Sequence, residues 1–496
     1  MTDLAHTFFR LMAGLVLALA WHLAGGVNPV WAAGTTEMEK GIAAQKRGQF
    51  DEAEAFYTAA LVARDLPREA EAEAHANLCL VRLELGQRHK DKKKFAAGFE
   101  DCNRAVLLKP DLANAYLFRG NGRLATDQVA LASEDFKVAM ALMPKDPLPV
   151  YFRARAMVRL GKTTEAIKDL DTVLKMRAHF PPALLERGVL YQQKGDMQRA
   201  LHDFSLAIEH DPNLYDAYFL RAEVQGRLGN TQEALADIDQ ALLLRPDNPL
   251  AIFRRGLFSI ALGEVETGIA AFEQARRLSP EDPQIPVGLG FARFIQGRYA
   301  MAGEAFAQAL ALAPDDPFIR LWLALARLKH RGATASSNDD EGIGTGDLEQ
   351  WPNPLLAMVL GTLAPEAVVR RAEKREKTGR EMAMAEAFFF IGQYHLLRGN
   401  VGEAKKWLRK NIELDTKDPL LTAITNRELN RLSVMVSSIS GDTESGIPVL
   451  PEKPLPSEVA SSPGGTSSAP LQPFWPKPKP LSINQQATSK VTHVAE

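Results

Sequence analysis

The sequence predicts an all-α chain, a right-handed superhelical solenoid of about nine helix–turn–helix units with a C-terminal capping helix. Three observations predict it. Prolines recur at an interval of 34, at Pro110, Pro144, Pro212, Pro246, Pro280 and Pro314, with one gap of 68 in which Ala178 holds the missing place. Numbering the unit so that this proline is position 32, small residues recur at position 8 (Gly120, Ala154, Gly188, Ala222, Gly256, Gly290), and position 24 carries a filler (Phe136, Leu170, Phe204, Ile238, Phe272, Phe306). Position 15 is usually glycine (Gly161, Gly195, Gly229, Gly263, Gly297), which suits a turn after a first helix, where a positive φ is cheap. A fixed period of this length stacks one supersecondary unit on the next, so that each buries its apolar face against its neighbours.

From the N-terminus, residues 1–33 stand apart. Leu11–Val27 is apolar, broken only by His22 and glycines, and Val30-Trp31-Ala32 puts small residues three and one places before a cleavage point at Ala33. This is the pattern of a secretory signal peptide. An uncleaved anchor is the alternative, although a membrane span needs about 20 apolar residues. The chain is therefore expected to be exported and periplasmic, or anchored in an inner membrane facing the periplasm. Membrane contact is expected only through an uncleaved N-terminus.

The array is expected over residues 34–332. A degenerate unit covers about Gly34–Pro67, with Gly41, Gly48, Ala53, Tyr57 and Ala60 in phase. The next starts near Ala72 and carries an insertion that includes His89-Lys90-Asp91-Lys92-Lys93-Lys94. That run is expected to be a solvated loop between two helices, a contact for an anionic partner being the other reading. Regular units begin near Ala113, Pro147, Pro181, Tyr215, Pro249 and Pro283; another first helix starts at Pro317, and the pattern breaks at Gly332.

Two further patterns lie on this frame. Position 7 carries Arg119, Arg153, Arg187, Arg221 and Arg255, and position 23 carries Asp101, Asp135, Asp169, Asp203 and Asp237, with Ala271 ending the series. An arginine and an aspartate repeated in step predict structural ion pairs: Arg119, Asp135, Arg153, Asp169, Arg187, Asp203, Arg221 and Asp237. They leave open whether each pair forms within a unit or between neighbours, and a ligand-binding arginine row is the other reading. The two cysteines, Cys79 and Cys102, fall at positions 8 and 24 of the irregular unit. They are either two small buried hydrophobes or a disulfide, which an oxidising compartment permits.

From Thr35 to Asp418 these residues resemble the tetratricopeptide repeat (TPR) family. The resemblance implies a module that binds other polypeptides through a concave face lined by positions 2, 5, 9 and 12 of the first helices. The N-terminal half of that face reads as mixed, with Tyr151, Arg155 and Phe219 among its residues. The C-terminal half reads as apolar: Leu250, Phe253, Leu257, Val287, Phe291, Phe318, Leu321 and Leu325. An apolar patch of that extent needs a cover. The cover is either the chain's own C-terminal helices or a partner's peptide segment or second subunit.

Residues 333–350 form a polar, Gly-rich loop that matches neither an EF-hand nor a phosphate cradle. Residues 351–434 then hold Trp351, Leu360-Gly361, a charged helix around Pro365–Lys377, a further repeat at about Ala385–Asp418, and a closing helix at about Pro419–Leu432. Together with Asp316-Pro317-Phe318 and Leu321-Trp322-Leu323, this order resembles the NlpI-type bacterial periplasmic TPR lipoproteins. That likeness implies a dimeric envelope scaffold linking a protease to cell-wall hydrolases. The lipid-bearing cysteine of that family is absent, and this chain has more repeats. Residues 435–496 are Pro/Ser-rich and read as a disordered tail.

Composition narrows the function classes. Fifty-nine basic residues nearly balance 61 acidic ones, with no basic stripe, so nucleic acid is not an expected partner. The ten histidines are scattered, and no nucleophile–base set, metal set or cofactor motif appears. The sequence thus points to a non-catalytic, cofactor-free scaffold of the bacterial envelope that binds other proteins, with a homodimer as an open alternative. An assembly factor for secretion or polysaccharide export, or a peptidoglycan-associated binding protein, is the rival reading.

Overall fold

A computed structural model describes residues 33–332, 346–414 and 418–439. The expected signal segment, most of the 333–350 loop and the tail beyond Ile439 lie outside the described residues. Within them the chain is helical, with no strand, and it divides into two units at Pro212. The first unit holds α1 (Ala33–Lys46), α2 (Phe50–Ala63), α3 (Arg68–Arg88), α4 (Lys92–Leu108), α5 (Ala113–Ala125), α6 (Val129–Leu142), α7 (Pro147–Arg159), α8 (Thr163–Met176), α9 (Pro181–Gln193) and α10 (Met197–His210). The second begins with α11 (Tyr215–Arg227), α12 (Thr231–Leu244), α13 (Pro249–Ala261), α14 (Val265–Leu278), α15 (Gln284–Gln296), α16 (Tyr299–Leu312) and α17 (Pro317–Arg331). It continues with α18 (Asn353–Val359), α19 (Pro365–Glu373), α20 (Lys377–Leu397), α21 (Val401–Glu413) and α22 (Pro419–Ile439). Consecutive helices pack as pairs, and each pair packs on the next within its unit.

Local chemistry sets the boundaries of each pair. Proline stands at the first helical position of α7, α13 and α17, where its fixed φ fits and its missing N–H costs nothing. The residue before it caps the free amides: Asp146 accepts from Leu148 N at 2.9 Å, and Asp316 from Phe318 N at 2.9 Å. Between the helices of a pair the chain turns through a left-handed glycine, with φ +72° at Gly161 and +88° at Gly263.

The pairing of positions 8 and 24 has a steric cause. A Cβ built on Gly120, Gly188, Gly256 or Gly290 would stand 2.5–2.6 Å from the ring of Phe136, Phe204, Phe272 or Phe306 respectively. Where position 8 is alanine, at Ala154 and Ala222, position 24 is the smaller Leu170 or Ile238. The same slot is filled by Tyr57 against Gly41 and by Leu408 against Gly392. In the irregular pair it is filled by Cys79 and Cys102, joined as a disulfide with Cα atoms 5.2 Å apart. Gly256→Ala should therefore cost about 1–3 kcal/mol through overpacking, despite alanine's better helix propensity. Adding Phe272→Leu should recover most of that loss. Urea unfolding of the two variants checks it: a double variant no more stable than Gly256→Ala would contradict the steric account.

The insertion is a loop only at His89, Lys90 and Asp91. Its residues lengthen both helices, to 21 in α3 and 17 in α4, against 13 and 14 in a regular pair. Asp91 ends the short link by capping α4, accepting from Lys93 N and Lys94 N at 2.8 and 3.2 Å. Lys94 is held by Glu54 at 2.6 Å. The basic run thus starts a helix, because an acceptor at the N-cap outweighs three lysines in the first turn. Three other boundaries also differ from expectation: the charged helix ends at Glu373, the next starts at Lys377 rather than near Ala385, and the closing helix runs to Ile439.

The second unit centres on Trp322, which is 1% exposed. Around it stand Phe291, Phe294, Phe389 and Phe390, with ring centres 4.9–5.6 Å away. A polar knot lies in the same core. Trp351 Nε1 donates to Glu386 Oε2 at 2.5 Å, and Asp418 caps α22 by accepting from Leu421 N at 2.9 Å. Burial pushes the carboxyl of Glu386 up to about 8 and that of Asp418 up to about 6.

The sign of the pH dependence follows. Above the ordinary carboxylate range the unfolded chain has released these protons while the folded unit still holds them. The stability these two carboxyls contribute is therefore greatest at the acid end and falls as pH rises, through about 6 for Asp418 and about 8 for Glu386. The melting temperature of the second unit should drop between pH 5 and 8.5, and Glu386→Gln should flatten that slope. A wild-type melting temperature that does not change over this range would contradict the assignment.

Candidate functional site

The arginine–aspartate ladder forms within single helix pairs. Arg119, Arg153, Arg187 and Arg221 each reach the aspartate 16 residues on, at 2.7 Å for Arg119–Asp135, Arg187–Asp203 and Arg221–Asp237, and 2.5 Å for Arg153–Asp169. Arg187 also reaches Asp171 at 2.7 Å. Burial disfavours its charge, but these carboxylate bonds outweigh that and raise its pKa. The arginines are thus occupied by protein carboxylates. Arg255, where the series meets Ala271, keeps a buried Nε with no hydrogen-bond partner. In the irregular pair Asp101 is met by His75 at 2.9 Å and Arg82 at 2.7 Å.

The apolar groove expected in the C-terminal half needs correcting. Phe253, Leu257, Phe291, Leu321 and Leu325 are buried, as is Phe219; Leu250, Val287 and Phe318 are half-buried. The physical reason is that α22 packs against α13 and α15, the helices that would line the groove, and its Leu420, Leu421, Ile424 and Leu432 are buried in the same hydrophobic core. A polar latch fixes it there. Glu428 takes Lys329 Nζ at 2.6 Å and Arg431 Nη1 at 2.8 Å, and Arg431 also donates to Tyr299 Oη at 2.9 Å. The chain's own closing helix thus packs over the part of the stripe carried by α13 and α15.

An open cleft lies in the first unit, on the faces of α3, α4, α5, α7 and α9. It measures about 260 Å³ and is walled by Leu83, Phe95, Phe118, Phe152, Val158 and Leu190. Its floor holds Glu186, 7% exposed. Glu186 Oε1 accepts from Tyr151 Oη at 2.9 Å and pairs with Arg155 Nε at 3.2 Å, while Oε2 is buried with no hydrogen-bond partner. Burial raises the pKa of Glu186, against the pull of Arg155 and Tyr151. Burial and the neighbouring carboxylate raise that of Tyr151 well above its usual value. Of the predicted groove residues, the structure therefore brings Tyr151 and Arg155 together here.

Glu186 was not among the sequence candidates. Its signal is a charge at position 6, which is phenylalanine at Phe118 and Phe152 and leucine at Leu220. Another pair hidden by separation is His179 and His210, whose Nδ1 atoms stand 2.9 Å apart. Among the described residues no group of three or more His, Cys, Asp or Glu side chains could hold a metal ion.

Comparison with known proteins fits this geometry. A tetratricopeptide repeat family model matches residues 152–215, 219–283 and 260–317. The repeats over these residues are tetratricopeptide repeats. RNA polymerase II-associated protein 3 of Xenopus laevis is 36% identical over 107 residues, 22% of this chain and 14% of that relative. The chain thus spans about a seventh of the length of the curated relatives it matches. Among solved structures, a TPR protein from Parabacteroides merdae is similar at 20% identity, over 50% of this chain and 97% of that one, with a TM-score of 0.36. YrrB, described as a TPR protein with an unusual peptide-binding site, is similar at 21% identity over 36% of this chain and 90% of its own, with a TM-score of 0.30.

Proposed function

We propose that this chain is a non-catalytic TPR scaffold that holds a segment of a partner polypeptide in the cleft of its first unit. The observation that carries this is the open cleft itself: apolar walls around a buried carboxylate oxygen that the chain leaves without a donor. Such an oxygen is costly unless something bonds it. Tetratricopeptide repeats are generally non-catalytic protein-interaction modules, which supports the same reading. The apolar N-terminal segment supports export, to the periplasm or to the periplasmic side of an inner membrane. No helix among the described residues is long and apolar enough to cross a membrane. The resemblance of residues 315–432 to envelope scaffolds supports a finer role, bringing a protease to cell-wall hydrolases.

A photo-reactive residue at Val158, 37% exposed in the cleft wall, tests this in cells. Leu243, 74% exposed outside the cleft, is the control. Adducts with envelope proteases or hydrolases are expected from position 158 and not from 243. Adducts that are the same at both positions would overturn the reading.

A further inference from the structure

Resting on the peptide-scaffold reading, we infer that the cleft selects a partner segment in which a large apolar side chain stands beside a lysine or arginine. The size of the site comes first. At about 260 Å³ it lies below the usual ~300–1,000 Å³ of small-ligand pockets, so it admits a side chain or two rather than a cofactor. Phe95, Phe118 and Phe152 make three of its walls, and an apolar or aromatic side chain is what such walls bind.

Charge decides what stands beside it. Each of the cleft's other charged groups has a protein partner. Arg159 donates to Leu124 O and pairs with Asp127 at 3.0 Å, and Glu84 pairs with Arg88 at 3.2 Å. Arg155 meets Glu186 on Oε1, the oxygen that Tyr151 also reaches. What remains without a bond is Glu186 Oε2, buried on a residue that lines the cleft and acceptor-only while the group is ionised. A neutral amide would satisfy its geometry; with Arg155 already paired on Oε1, an ammonium or guanidinium would add a charge-assisted bond on the second oxygen. Such charge-assisted bonds are roughly twice as strong as neutral ones.

The sign is specific to this place in the array. Arg155 and Glu186 are 31 residues apart, as are Glu223 and Arg254 in the second unit, where the signs are exchanged. There the guanidinium takes both carboxylate oxygens, Nε to Oε1 at 2.6 Å and Nη2 to Oε2 at 3.3 Å. In the first unit only one oxygen is taken, which leaves the second for a ligand.

The test uses the full chain, fluorescently labelled, on an array of N-acetylated, C-amidated peptides. Two adjacent positions run through all residue types in a Gly-Ser frame. Retention is expected on peptides pairing Trp, Phe or Leu with Lys or Arg. Glu186→Gln should lower that retention by about tenfold and abolish the gain that a basic neighbour gives over apolar-only peptides. Val158→Glu should lower both, with melting curves confirming that each variant folds. Retention on apolar peptides with no gain from a basic neighbour, or a basic preference that survives Glu186→Gln, would overturn this inference while the scaffold reading stands. Retention on no peptide above the Val158→Glu background would remove both.

Discussion

Arg254→Ala is expected to destabilise the second unit by about 3–5 kcal/mol, a fall in melting temperature on the order of 10 °C. Arg254 and Glu223 form an ion pair with both side chains buried, 1% and 2% exposed. Taking two charges out of water costs several kcal/mol, and the pair recovers that only through its close bonds. Removing the arginine strands the Glu223 carboxylate among Phe219, Phe253 and their neighbours, where no water reaches it. The same desolvation cost makes the loss rescuable. Arg254→Met combined with Glu223→Leu removes both charges at similar volume and should return stability to within about 1–2 kcal/mol of wild type. Thermal unfolding of both variants decides the matter. A single variant within 2 °C of wild type would show that Glu223 finds another cation or water, and that the pair is worth little.

That pair shows what the sequence reveals and what it hides. The starts of the regular helices were legible because Pro, Gly and Ala report backbone geometry directly: α7, α9 and α13 begin at Pro147, Pro181 and Pro249. The Arg–Asp ladder was legible because each arginine had its own carboxylate in step. The Arg254–Glu223 and Glu186–Arg155 pairs occur once each with opposite sign, so no repeat exposes them. The covered groove was missed for a different reason. Position in a repeat tells which way a side chain points, not what arrives later in the chain to cover it. The helix that carries Phe253, α13, packs against α22, more than 160 residues downstream. Of the basic run, His89, Lys90 and Asp91 form the loop that charge suggested, while the N-cap Asp91 places Lys92, Lys93 and Lys94 in a helix.

Trp322→Ala should be the other severe loss, about 3–5 kcal/mol, because the indole is central to a ring cluster that cannot collapse around the void. Five aromatic rings surround it, from Phe291 at 4.9 Å to Phe306 at 6.0 Å. A companion variant separates the two accounts of the apolar stripe. If Phe291 faced a groove awaiting a partner, Phe291→Glu would weaken binding and leave the fold unchanged. In the structure Phe291 is 5% exposed and touches Trp322 and Phe306, so the new carboxylate would be buried without a partner. Phe291→Glu should then unfold the second unit alongside Trp322→Ala, whereas Leu243→Glu, at a surface site, should stay within about 0.5 kcal/mol of wild type. Urea midpoints for the three variants settle the order. A stable Phe291→Glu would show that α22 leaves the stripe, and the apolar face of the second unit would then be a docking surface after all.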